Sequence, residues 1–189
     1  DELVKVPRWM DDRVAAAALT KGCTVQYLFN QTHKLKRGET ILFHAAAGGV
    51  GLIASQWAQS IGANLIGTTS TLKKARLAKR NGCKQVIITS KQDIAKEVMR
   101  LTNGRGVDVV FDSIGQATID GSIHCTRFLG TVALFGDASG TTPPMETRKL
   151  AANCVKLTRV GLMPFVPDQT TIKRRCDDLF QLYENRKLT

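Results

Sequence analysis

Thr40-Ile41-Leu42-Phe43-His44-Ala45-Ala46-Ala47-Gly48-Gly49-Val50-Gly51 decides how this chain is read. The first four residues form a short apolar run with a β-branched start, the signature of a strand buried on both faces. A glycine-rich turn follows. Beyond it, Val50, Ile53, Ala54, Trp57, Ala58 and Ile61 recur at the spacing of a helix that buries one face, and Gly62 stands where a helix ends. On the pattern G-x-G-x-x-G, Ala46 takes the first glycine position, Gly48 the second and Gly51 the third. The second must be glycine if backbone N–H groups are to approach a pyrophosphate. The third lets the helix pack tightly on the strand. The helix start then offers unpaired N–H groups and partial positive charge to phosphate. A glycine turn can also be a plain tight turn in an unrelated α/β protein. The strand before this one and the helix after it favour a dinucleotide site, with Ala47, Gly48, Gly49, Val50 and Gly51 at the phosphates.

The same alternation continues outward. Strands are expected at Asn64–Thr68, Gln85–Ile88, Val107–Phe111, Thr131–Phe135 and Val155–Val160. Helices are expected at Leu72–Arg80, Gln92–Leu101 and Ala117–Cys125, with a short one near Leu150. A last helix begins after Pro167-Asp168 and carries Ile172, Cys176, Leu179, Phe180 and Tyr183 on one face. Before the first strand, Asp11–Leu19 reads as helix, Gly22 interrupts it, and Thr24–Thr32 reads as a second. Alternating strands and helices pair in parallel through right-handed crossovers. Six strands fit the doubly wound order 3-2-1-4-5-6, an α/β Rossmann sheet with helices on both faces, in one domain over residues 1–189.

The end of the second strand selects the dinucleotide. Binders of the unphosphorylated form place a carboxylate there for the ribose hydroxyls. Here the residues are Gly67-Thr68-Thr69-Ser70-Thr71-Leu72-Lys73-Lys74. Hydroxyls can bond a 2′-phosphate and lysines can neutralise it, so NADPH is expected, with Lys74 as the main phosphate contact. The alternative is a pair of solvated lysines on a helix face.

The chain's 189 residues are 43% hydrophobic and 23% charged, which suits one globular domain. No apolar run is long enough for a membrane span. The start is neither a signal nor a transit peptide, and it lacks Met, which fits a piece of a longer protein. The formal charge of +11 invites a nucleic-acid reading. The basic residues fall in separate clusters without interleaved aromatics, so a solvated surface that also draws in an anionic cofactor is favoured. Five widely spaced cysteines, with no C-x-x-C, are expected to be reduced and mostly buried, as in a cytoplasmic protein. His33, His44 and His124 are scattered, with no Cys at ligand spacing, and no metal is expected. His44 and Asp112 follow strand ends and are weighed as general acids against loop packing and loop hydrogen bonding. No catalytic residue is singled out.

His44-Ala45-Ala46-Ala47-Gly48-Gly49-Val50-Gly51 with Gln56-Trp57-Ala58 resembles the quinone oxidoreductase branch of the medium-chain dehydrogenase/reductase superfamily. Gly22-Cys23-Thr24-Val25-Gln26-Tyr27, Gly67-Thr68, Phe111-Asp112-Ser113-Ile114-Gly115 and Phe135-Gly136-Asp137-Ala138-Ser139-Gly140 follow in the family's order. The resemblance implies a zinc-free NADPH-dependent enzyme that passes hydride to quinones or related enones. It also implies that this chain is the cofactor domain alone, inactive by itself, without the GroES-like substrate domain and the closing segment. Enoyl reductase domains acting on acyl thioesters share the glycine turn, and a non-catalytic NADPH- or RNA-binding module is a further alternative. The resemblance places Thr24 and Tyr27 near the cofactor, Ser113 and Gly115 toward the adenosine, and Phe135, Gly136 and Ser139 along the nicotinamide end. Thr89 stands where close relatives carry Tyr beside the adenosine phosphate. The resemblance also implies a homodimer paired through the last strand, here Val155 to Val160, whose edge is otherwise unpaired.

Overall fold

The structure, a computed structural model, describes residues 3–189. A long helix α1 (Asp12–Tyr27) runs without a break into a π-helical turn, Leu28–Thr32. Then follow β1 (Thr40–Phe43), α2 (Gly49–Ile61), β2 (Asn64–Thr69), α3 (Leu72–Arg80), β3 (Gln85–Ile88), α4 (Ile94–Leu101) and β4 (Val107–Asp112). The chain continues through α5 (Ile119–Cys125), β5 (Thr126–Leu134), β6 (Lys156–Arg159) and α6 (Gln169–Glu184). The six strands are all parallel, in the order β3-β2-β1-β4-β5-β6. This is the doubly wound sheet expected from the sequence.

The period-2 pattern within the strands sorts the core into two layers. Ile41, Phe43, Leu65, Val109 and Phe111 point to the face covered by α1, α2 and α6, with Ala78 of α3 in the same cluster. Leu42, Ile66, Val110 and Val132 point to the opposite face, against Val98 of α4 and Ile119 and Ile123 of α5. Helices on both faces explain why the central strands β1 and β4 carry unbroken apolar runs, Ile41–Phe43 and Val109–Phe111, rather than alternating with polar residues. Local chemistry sets the helix ends. Asp11, Thr71, Asp93 and Asp168 each accept from an N–H in the first turn of the helix they precede, and Gly62 takes a left-handed φ of 85° to close α2.

α4 and α5 each start two residues later than expected, and three further departures have a visible cause. Gly22 does not break α1. A Cβ built on it would lie 2.4 Å from the Leu179 Cδ2, so glycine is there to admit α6 across the helix. Consequently Thr24 is not a helix start; it lies mid-helix, and its hydroxyl donates to the Thr20 carbonyl at 2.9 Å. Second, β5 begins five residues early. Thr126 pairs with Val107, Arg127–Gly130 loop out, and pairing resumes at Thr131 with Val109. Leu129, with φ 57°, turns the loop. Third, β6 is four residues long, shorter than Val155–Val160, because residues 147–153 form a 3₁₀ turn that hands over just before it. All five cysteines are free thiols, four buried and Cys154 exposed.

Candidate functional site

The carboxyl ends of β1, β2, β3 and β4 enclose a cleft of about 490 Å³. It sits where the chain order reverses between β1 and β4, the place at which doubly wound sheets take ligands. The glycine turn forms its floor. Ala45 adopts a left-handed φ of 54°, and the Gly48 N–H donates to the Ala45 carbonyl at 2.8 Å, closing the turn. Ala45, Ala47 and Gly48 line the cleft, Gly48 and Gly49 are open to solvent, and α2 starts directly behind them at Gly49, with Val50 half-buried and Gly51 buried. A Cβ on Gly51 would lie 2.6 Å from both the Ala45 carbonyl oxygen and the Ala46 Cα, so α2 can seat on β1 only with glycine there. Gly67 has a similar cause. Its Cβ would meet the Ala46 Cβ at 2.4 Å, so Gly67 shapes the turn from beneath.

The β2 wall is polar and cationic. Thr68 and Thr69 are buried, while Ser70 and Lys74 lie open at the rim. The Lys74 ammonium donates to Ser70 Oγ at 3.4 Å, and the Thr71 hydroxyl caps α3 by accepting from the Lys74 N–H. Thr89, at the end of β3, hydrogen-bonds the Thr69 carbonyl through its own N–H at 2.8 Å, which brings it to the same rim. No Asp or Glu lines this cleft among the described residues. Ile94, Ile114 and Ala117 add apolar walls suited to a flat ring system.

Behind the turn lies a buried polar chain. His44 is 1% exposed. Its Nδ1 is 3.2 Å from Thr68 Oγ1 and its Nε2 is 3.0 Å from Ser122 Oγ. The Ser122 hydroxyl donates to Asp112 Oδ2 at 2.7 Å. Asp112, fully buried, also accepts from the Thr118 hydroxyl and from the N–H groups of Ile114 and Gly115. Burial holds the His44 imidazole below its ordinary pKa, against a partial upward pull from Asp112, so it is neutral at pH 7. Both residues thus serve the packing and hydrogen bonding of the loops, with every polar group occupied.

The remaining expected residues lie beside the cleft rather than in it. Gly115, with φ 86°, has no room for a Cβ beside the Gly140 carbonyl, and Gly136 none beside the Ser113 carbonyl. These contacts bring the β4 and β5 loops together. The Ser139 hydroxyl secures them, donating to the Ile114 carbonyl at 2.8 Å and accepting from the Ala117 N–H at 2.9 Å. Phe135 packs on Phe43. Tyr27 is buried under Phe165, their rings stacked at 4.4 Å, and burial pushes its phenol up to about 12 although Arg159 pulls it down. Arg175, buried in α6, fixes this arrangement through the Phe165 carbonyl and the side chains of Gln26 and Gln31.

Sequence patterns do not single out Ile94, Ile114, Ala117 and Thr118, because ordinary apolar and hydroxyl residues become cleft walls only through the topology. Lys21 is a further omission. Its aliphatic chain crosses Gly49 so closely that a Cβ there would lie 2.5 Å from it, and its ammonium bonds the Ala17 carbonyl.

Fold and cleft together define a Rossmann-type α/β domain. The chain belongs to the zinc-binding dehydrogenase family, whose pattern matches residues 49–171. It is 42% identical over 185 residues to a quinone oxidoreductase of Pseudomonas aeruginosa, covering 97% of this chain and 57% of that protein. It is 48% identical over 148 residues to a 2-haloacrylate reductase of a Burkholderia species, covering 77% of this chain and 44% of that protein. It superposes on the Escherichia coli quinone oxidoreductase complexed with NADPH with a TM-score of 0.95 at 36% identity, over 98% of this chain and 57% of that one. The chain therefore spans about half the length of the curated relatives it matches. The family's description names zinc, but no three His, Cys, Asp or Glu side chains gather as metal ligands among the described residues. No described helix is long and apolar enough to cross a membrane.

Proposed function

We propose that the cleft holds NADPH and that the whole protein passes hydride from it to a quinone or a related enone. The observation that carries this reading is the carboxylate-free β2 rim, where Ser70, Lys74 and Thr89 surround the place a 2′-phosphate would take beside an open glycine turn. When bound, the cofactor supplies the hydride. The protein's residues bind and orient it. N–H groups at the start of α2 meet the pyrophosphate, Lys74 meets the 2′-phosphate, and Ile94, Ile114 and Ala117 enclose the adenine. The relatives' activities and the NADPH in the E. coli structure support the same reading.

In this reading residues 1–189 are the cofactor domain of a longer cytoplasmic enzyme. A substrate domain closes the nicotinamide end, and two copies pair along the exposed edge of β6. The likeness to a 2-haloacrylate reductase favours a second substrate class, halogenated unsaturated acids, reduced by the same hydride chemistry. Titration of the chain with NADPH and then NADH tests the cofactor assignment. A clear preference for NADPH is expected, and a preference for NADH would overturn it. Product analysis of the longer enzyme with a quinone and a haloacrylate decides between the substrates.

A further inference from the structure

We propose that His44 is a positioning residue for the glycine turn: it carries its proton on Nε2 and accepts at Nδ1 from Thr68, orienting the hydroxyl that receives the Ala45 N–H. The direction of every bond in this chain follows from the one end that cannot donate. The Asp112 carboxylate only accepts. Ser122 has a single hydroxyl proton and gives it to Asp112 Oδ2 at 2.7 Å, so toward His44 it can only accept. His44 Nε2, 3.0 Å away, must therefore be the protonated nitrogen. The imidazole is buried and neutral, so Nδ1 is a bare lone pair. Thr68 Oγ1, at 3.2 Å from Nδ1, must turn its proton to it. That leaves the Thr68 oxygen free to accept from the Ala45 N–H, also at 3.2 Å.

Ala45 is the residue that needs holding. It has a side chain yet sits at φ 54°, a conformation disfavoured for any residue but glycine. Its carbonyl receives the Gly48 N–H, so its backbone sets how Gly48 and Gly49 present themselves. At the other end, Asp112 gathers the N–H groups of Ile114 and Gly115 on the opposite wall. One imidazole thereby keys both walls of the cleft. The effect on cofactor affinity rests on the NADPH reading above; the effect on the turn does not.

The test uses the whole 189-residue chain. Nitrogen-15 NMR is expected to show His44 as the Nε2–H tautomer, with a slowly exchanging Ala45 amide. His44→Asn keeps an acceptor oxygen where Nδ1 stands and should preserve that slow exchange. His44→Gln keeps only the Ser122 side, and Thr68→Val removes the relay hydroxyl. Each should speed Ala45 exchange by about tenfold and weaken NADPH by a similar factor, the loss of one hydrogen bond. An Nδ1–H tautomer in the unmodified chain, or Ala45 exchange unchanged in both His44→Gln and Thr68→Val, overturns the inference. An unmodified chain with the expected tautomer and exchange pattern but a preference for NADH would refute the cofactor reading and leave the positioning role standing.

Discussion

Gly51 stands against Ala46 with no room for a side chain: a Cβ on Gly51 would lie 2.6 Å from the Ala46 Cα and 2.7 Å from its carbonyl carbon. The obstacle is backbone, which cannot swing aside. Gly51→Ala should cost about 2 kcal/mol or more, the upper part of the overpacking range, and displace the start of α2. Gly49 offers the contrast. Only the flexible Lys21 side chain opposes a Cβ there, so Gly49→Ala should stay within about 0.5 kcal/mol of the unmodified chain. Urea unfolding of the two variants checks the pair, and equal losses would contradict this account of the turn.

Lys74 should discriminate between the two nicotinamide cofactors. In the NADPH reading its ammonium makes a charge-assisted bond to the 2′-phosphate, a group NADH lacks. Lys74→Ala is expected to weaken NADPH by about tenfold to a hundredfold and leave NADH unchanged. Calorimetric titration with both cofactors measures this directly, and equal effects on both would remove Lys74 from the phosphate site.

Gly22→Ala tests the crossing of α1 and α6. Alanine favours helix by up to about 1 kcal/mol, but its Cβ would drive into Leu179, which is fully buried and closely held. Overpacking costs about 1–3 kcal/mol, so a net destabilisation near 1 kcal/mol is expected. A Gly22→Ala, Leu179→Ala double variant should recover the helix gain while adding its own cavity cost, giving a non-additive cycle in thermal unfolding.

That same glycine shows what a sequence does and does not disclose. The strand order and the glycine turn were legible because their signals are local: short unbroken apolar runs, a helical face from Val50 to Ile61, and Gly62 as a stop. Gly22 misleads because its reason lies 157 residues away, in Leu179. The β5 loop-out at Arg127–Gly130 escapes notice because the register is set by the neighbouring β4. In the cleft, Lys74 and the hydroxyls of β2 stand out by type and place. Ile94, Ile114 and Ala117 do not, since only the crossovers bring α4, α5 and the β4 loop to the same opening. Tyr27 has the right sequence context, yet Phe165 covers it from a distant turn.

Stability should fall below neutral pH through His44. Its folded pKa is depressed by burial, so the unfolded chain takes up a proton that the folded chain refuses. The stabilisation is complete above the unfolded imidazole's pKa near 6.5 and is lost as pH falls below it, up to about 1.4 kcal/mol between pH 7.5 and 5.5. His44→Asn cannot titrate. The difference in unfolding free energy between the unmodified chain and this variant should therefore shrink or reverse toward pH 5.5, and a pH-independent difference would contradict the assignment.

The packing of α1 on α6 also bears on how the chain is made. Cys23 and Cys176 touch across that crossing, 3.7 Å apart in space and 153 residues apart along the chain. With Met10, Ala15 and Phe180 they form a cluster of their own. At a synthesis rate of about 5–20 residues per second, α1 leaves the ribosome roughly 8–30 s before its partner exists. Throughout that interval the face of α1 that α6 will cover has nothing to pack against, and its apolar side chains stay open to water until α6 has been made.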